Sequence, residues 1–167
     1  YFYNRIINNP SLSKDFQFQD TYLQIEEGSR RFVYNDSVCQ YSVEILDCFL
    51  TYCYNHSIEV IAYLPPYAPA VWKKMIATGN YSYMTRIDRV IRPLFEKYKY
   101  TLYDFSDGET FGSNNVEFID GFHGSEKTYL RMMLEMIRKD SSISSYFKDT
   151  LVLKEIISEC PDIHVAK

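Results

Sequence analysis

The chain has 167 residues, 46% of them hydrophobic and 24% charged, with only 6 Gly and 6 Pro. This fits one globular domain and excludes disordered and fibrous classes. The 18 Lys and Arg against 22 Asp and Glu give a net charge of −4, so no basic face is implied for nucleic-acid phosphates. The unusual quantity is aromatic content, 17% with 16 Tyr and 11 Phe; such rings suit cores and wet contact surfaces alike.

Tyr1-Phe2-Tyr3-Asn4-Arg5 offers neither an initiator Met nor a signal-peptide pattern, so the amino end reads as a cut end. The longest apolar stretch, Val60 to Trp72, is interrupted by Pro65, Pro66 and Pro69 and is too short to cross a bilayer. The first 36 residues read as loops with a short strand or hairpin, punctuated by Asn8-Asn9-Pro10-Ser11 and Gly28-Ser29. Ser37 with Gln40 offers a capping box ahead of Val38, Tyr41, Ile45, Phe49 and Tyr52, whose helical spacing predicts a helix ending near Asn55-His56. Ile58 to Leu64 reads as a buried parallel strand stopped by Pro65-Pro66.

A short helix over 70–77, a turn at Gly79-Asn80 and a long helix over 83–98 follow, with Pro93 as a kink or new first turn. Tyr100 to Phe105 is a second strand. A polar loop from Ser106 to Glu117 leads through Phe118-Ile119-Asp120-Gly121-Phe122-His123-Gly124 to a helix over 126–139. A last helix over 150–159 stops at Pro161. This rhythm is that of a doubly wound α/β domain.

In such folds ligands bind beyond the carboxyl ends of the strands. Asp120 lies there, three residues before His123. On a tight turn the carboxylate accepts from one ring nitrogen, fixing the tautomer that leaves the other as a general base. The positive end of the following helix favours the neutral imidazole. By itself the Asp-x-x-His spacing is a weak signal and reads as a turn or cap residue and a loop hydrogen-bonder; its setting in a glycine-bracketed loop between a strand and a helix favours chemistry.

Leu64-Pro65-Pro66-Tyr67, Tyr103-Asp104-Phe105 and Phe118-Ile119-Asp120-Gly121-Phe122-His123 together resemble the carboxyl-terminal half of SGNH (GDSL-like) hydrolases over 37–137. Within that superfamily the chain is similar to the envelope-associated branch that includes alginate O-acetylation proteins and the lipoteichoic-acid D-alanylation protein. The resemblance implies a flavodoxin-like three-layer α/β/α sandwich with a mainly parallel sheet, incomplete at its amino end, forming a single domain over 1–167. It also implies ester chemistry without a cofactor or metal: Asp120 orients His123, and His123 activates a serine that attacks an acyl carbonyl. The substrate is a small-molecule or glycan acyl ester, with Pro66 and Tyr67 as binding candidates, and envelope association is the implied setting.

The pattern departs from the family at the nucleophile. Gly28-Ser29, Gly112-Ser113 and Gly124-Ser125 do not follow a strand in the right place, and the oxyanion glycine is not identifiable. Asn35 precedes a helix as the oxyanion asparagine does, but Val33 stands where glycine is usual; helix capping is the competing role. The serine-bearing strand is therefore expected upstream of Tyr1, and the 167 residues are expected to be inactive alone. The alternative is a non-catalytic domain that keeps the fold and binds a glycan or protein through its tyrosines.

Cys39, Cys48, Cys53 and Cys160 match neither metal spacing nor an intrahelical disulfide and read as small buried hydrophobes; free thiols favour a reducing compartment, the cytoplasm as alternative to the envelope. Asp104, Asp107 and Glu109 with Asp120 and His123 read as solvated loop carboxylates rather than a metal site. His56 closes a helix, and nothing argues for His164. Met132, Met133 and Met136 read as a core face, and Tyr63, Tyr67 and Trp72 as packing with sugar stacking as the alternative.

Overall fold

The computed structural model describes residues 9, 11, 13, 15–139, 141–145 and 150–159. The expectations for residues 1–5, Asn8, Pro10, Cys160, Pro161 and His164 lie outside them. Seven α-helices accompany a two-stranded parallel sheet among the described residues, giving an α/β chain.

The amino-terminal region corrects the sequence expectation. In place of a strand or hairpin it forms a 3-10 turn, Phe16–Phe18, and helix α1, Gln19–Glu27. The Asp15 carboxylate accepts from Thr21 N (2.9 Å) and Thr21 Oγ1 (2.6 Å), satisfying first-turn groups of α1. Phe18, Thr21 and Ile25 are buried at spacings that alternate three and four. Gly28 ends the helix at φ 61°, in the left-handed region that favours glycine.

Helix α2 spans Gln40–Asn55, and Cys39 precedes it without a side-chain cap bond, so the Ser37 capping box does not form. The apolar row that predicts the helix is not the face it buries. Tyr41, Ile45, Phe49 and Tyr52 are 51–71% exposed, while Leu50 and Cys53 are buried with Val43 and Leu46 packed beside Leu50. The helix thus carries two apolar stripes, and periodicity alone does not say which one is covered.

Strand β1 is Ile61–Leu64, shorter than expected and half exposed; β2 is Thr101–Asp104. They pair in parallel register from Ile61 opposite Thr101 to Leu64 opposite Asp104. Helix α3, Pro69–Thr78, begins on a proline whose missing N–H costs nothing at that position and ends at Gly79. Helix α4 is Ile87–Lys97 with Pro93 inside it, starting later than expected because residues 81–86 form turns. Helices α5 (Glu126–Lys139), α6 (Ser141–Ser144) and α7 (Thr150–Glu159) complete the chain.

Three apolar clusters hold these elements. Phe18, Ile25, Phe32, Val71, Met75, Tyr81 and Phe118 join α1, α3 and the late loop. Leu102 of β2 packs with Leu50, Ile91 and Phe95 of α2 and α4, while its neighbour Tyr103 packs with Phe105, Met132 and Ile143. Successive strand residues face opposite ways, so β2 is covered on both sides. Met132 and Met136 belong to the second cover, in line with the core reading of that helix face.

Candidate active site

Beyond the strands, the β1 exit is stitched between two loops. Tyr67 N donates to Ser106 O (2.9 Å), Gly108 N to Tyr67 O (3.2 Å) and Ala68 N to Gly121 O (3.0 Å). Pro66 is fully buried, so it acts as a wall and presents no ring to a ligand. Tyr67 is half-buried between Phe32 and a stacked Trp72, 6.1 Å away, and burial raises its phenol pKa.

The turn from Phe118 to Gly124 closes on itself through Ile119 N to His123 O (3.0 Å). Within it, Asp120 Oδ1 accepts from Phe122 N (3.0 Å) and His123 N (2.7 Å), and Oδ2 meets His123 Nδ1 at 2.7 Å. Three hydrogen bonds, from two residues, hold the carboxylate in this orientation. The ring donates from Nδ1, because an ionised carboxylate only accepts; in the neutral ring Nε2 carries the lone pair. The His123 side chain is 55% exposed and Asp120 only 23%, so the ring faces outward over a sheltered anchor. Nε2 has no hydrogen-bond partner among the described residues, which is the geometry of a base awaiting a proton donor.

Residues not singled out from sequence hold this turn. Asp15 Oδ2 accepts from Gly121 N (3.2 Å), tying the turn to the start of α1. A Cβ on Gly121 would lie 2.5 Å from the Thr21 methyl, so only glycine lets α1 approach. From the other side, Glu117 is buried and paired with Arg131 of α5 (2.9 Å), and it accepts from Ser113 Oγ (2.7 Å). Arg31 lies 4.6 Å over the Phe122 ring, which itself contacts Phe32. A short Asp-x-x-His motif signals none of these long-range partners.

The structure does not gather every candidate. Asn35 Oδ1 accepts from Asp36 N (2.9 Å) and Ser37 N (3.3 Å), a local turn, and no hydrogen bond joins Asn35 to His123. Ser113 and Ser125 are buried, and Ser29 bonds Glu27; no serine hydroxyl bonds His123 among the described residues. Asp104 and Asp107 cap their own loop through Ser106 N and Glu109 N, and Glu109 pairs with Lys73 at 2.6 Å. Among the described residues no three metal-ligating side chains converge. His56 stacks on Tyr52 at 4.0 Å, closing α2. Of the cysteines, Cys53 is buried, but Cys39 and Cys48 are exposed, which corrects their reading as core residues. No described helix is long and apolar enough to cross a membrane. Comparison with protein-family models, curated proteins and solved structures finds no match.

Proposed function

We propose that this chain supplies the acid–base half of an SGNH-like acyl hydrolase or O-acyltransferase with a three-layer α/β/α domain, acting on an acylated, carbohydrate-type ester at the cell envelope. The observation that carries the reading is the Asp120–His123 pair, 2.7 Å apart at Nδ1 with Nε2 outward, on a turn after the β2 edge and before α5. His123 Nε2 takes the proton of a serine hydroxyl supplied by chain outside the described residues. The serine oxygen attacks the acyl carbon, and His123 returns the proton to the departing alcohol, leaving an acyl-enzyme. Water or a sugar hydroxyl then gives up its proton to His123 and takes the acyl group, and His123 passes that proton to the departing serine oxygen, restoring the hydroxyl.

The sheet supports this reading from its own side. β1 has no second strand beside it among the described residues, yet its sequence is that of an interior strand. A nucleophile-bearing strand paired there brings its carboxyl end to the β1 exit and the Asp120 turn. In this reading Trp72, stacked on Tyr67 at that exit, serves as a flat wall for a sugar ring. Asn35 enters this reading as an oxyanion donor only after its local turn opens.

In the complete protein, His123→Ala lowers turnover of p-nitrophenyl acetate by at least about 10³-fold, the scale expected for loss of a general base with its nucleophile. Unchanged turnover overturns the reading. The non-catalytic alternative draws support from Tyr41, Tyr52, Tyr54 and Tyr63, all exposed; glycan or protein binding insensitive to His123→Ala, without ester turnover, favours it.

A further inference from the structure

A second feature adjoins the Asp120 turn from the side of α1. A cavity of about 360 Å³ lies between the 3-10 turn before α1 and the loop before Asp120. Phe16, Phe18, Tyr22, Phe118 and Ile119 give it a largely aromatic and aliphatic wall. An apolar cavity of about 150 Å³ already admits benzene, so this one has room for a chain of roughly eight to ten carbons. Its wall is built with effort. Gln17 (φ 55°) and Phe18 (φ 62°) both hold left-handed backbone, which is unfavourable for non-glycine residues and persists where surrounding structure enforces it.

Two polar groups on the lining select what can enter. The Asp15 carboxylate already accepts from Thr21 and Gly121, so it repels an anionic head such as a free carboxylate. Asn115 Oδ1 accepts from Ala70 N at 2.9 Å, which orients the carboxamide. Its Nδ2 donors have no acceptor among the described residues and, on this exposed side chain at the cavity rim, are open to a carbonyl. Ile119, immediately before Asp120, and Asp15, bonded to Gly121, place this wall in direct connection with the acid–base turn.

We infer that the cavity binds the apolar chain of a neutral acyl ester or amide, with the carbonyl accepting a hydrogen bond from Asn115. Its identity as a substrate's acyl chain rests on the acyl-transfer reading; the binding itself does not.

The test titrates the 167-residue chain with N-methyldecanamide, a neutral amide, and with N-methylacetamide as the short control, following backbone amide shifts by NMR. The long amide binds at least about 100-fold more tightly, given the gain from each buried methylene, and it shifts the Gly121 amide. Ala70→Phe fills the cavity and weakens binding at least roughly 10-fold. Asn115→Asp keeps the acceptor for Ala70 N but replaces the donor, and weakens binding similarly while the unfolding midpoint stays near that of the parent.

Equal affinity for the two amides, or binding indifferent to both substitutions, overturns the inference. Decanoate binding more tightly than the amide also overturns it, because Asp15 excludes an anion. Ester turnover dependent on His123 but without amide binding removes the cavity's role and leaves the acyl-transfer reading intact. Amide binding with turnover indifferent to His123 does the reverse.

Discussion

Asp120 divides its two oxygens, one between backbone N–H groups and one on the imidazole, so the charge and the geometry of this residue can be separated by one substitution. Asp120→Asn retains the oxygen that receives Phe122 N and His123 N. It sets an amide donor against Nδ1, which favours the tautomer with the proton on Nε2. The turn therefore survives while the base is lost. Turnover in the complete protein falls by about 10³- to 10⁴-fold, the unfolding midpoint moves little, and the ring nitrogen NMR shifts of His123 exchange their assignment. A variant that keeps both activity and ring shifts shows that the carboxylate does not set the tautomer.

This pair was legible in the sequence because its partners are three residues apart and a turn suffices to join them. Asp15, 106 positions from Gly121, was not. Nor was the role of Tyr81, whose buried hydroxyl donates to Ile25 O and Phe32 O and whose pKa burial pushes up to about 12. Such contacts exist only once α1 and α3 have packed.

Among the elements, α5 and the loop before it depend on one another through a buried charge. Glu117 is 3% exposed and meets Arg131 of α5 with Ser113 as a further donor. A buried carboxylate that loses its cation keeps the desolvation cost without the attraction. Arg131→Met therefore destabilises the chain by about 3–5 kcal/mol, measured by urea unfolding, whereas Glu117→Gln in the same background recovers a large part of that loss. Equal stability of the single and double variants contradicts the pairing argument.

Helix α5 itself was read to the residue from its sequence, since its charged first and last turns and inward Met132 agree with its packing. α1 was missed because its mixed polar and aromatic stretch carries little hydrophobic contrast. Its start is fixed by Asp15 bonding Thr21 and by a left-handed Phe18, neither of which is a sequence signal. The strands were found at nearly the right places from their β-branched, apolar runs. Their burial was not, because burial depends on neighbours that a pattern does not name.

At the scale of the whole molecule the aromatic residues divide between a packed interior and exposed positions, several of them on α2. Phe32, Tyr81 and Phe105 are fully buried, while Tyr41, Ile45, Phe49 and Tyr52 form a continuous exposed row on α2. A row of this kind, on a helix that already buries its opposite stripe, leaves contiguous apolar surface in solvent. Ile45→Glu with Phe49→Lys places a favourable i,i+4 pair across it.

In the 167-residue chain these substitutions lower the fluorescence of a hydrophobic dye such as anilinonaphthalene sulfonate several-fold. They change stability by no more than about 0.5 kcal/mol, as expected for surface positions. In a longer protein whose added strand or helix covers the row, the same pair buries two charges and costs more than about 3 kcal/mol. Measuring both proteins by urea unfolding distinguishes a covered face from a free one. A loss above about 2 kcal/mol in the 167-residue chain contradicts the exposure of the row, because only side chains already packed can lose that much.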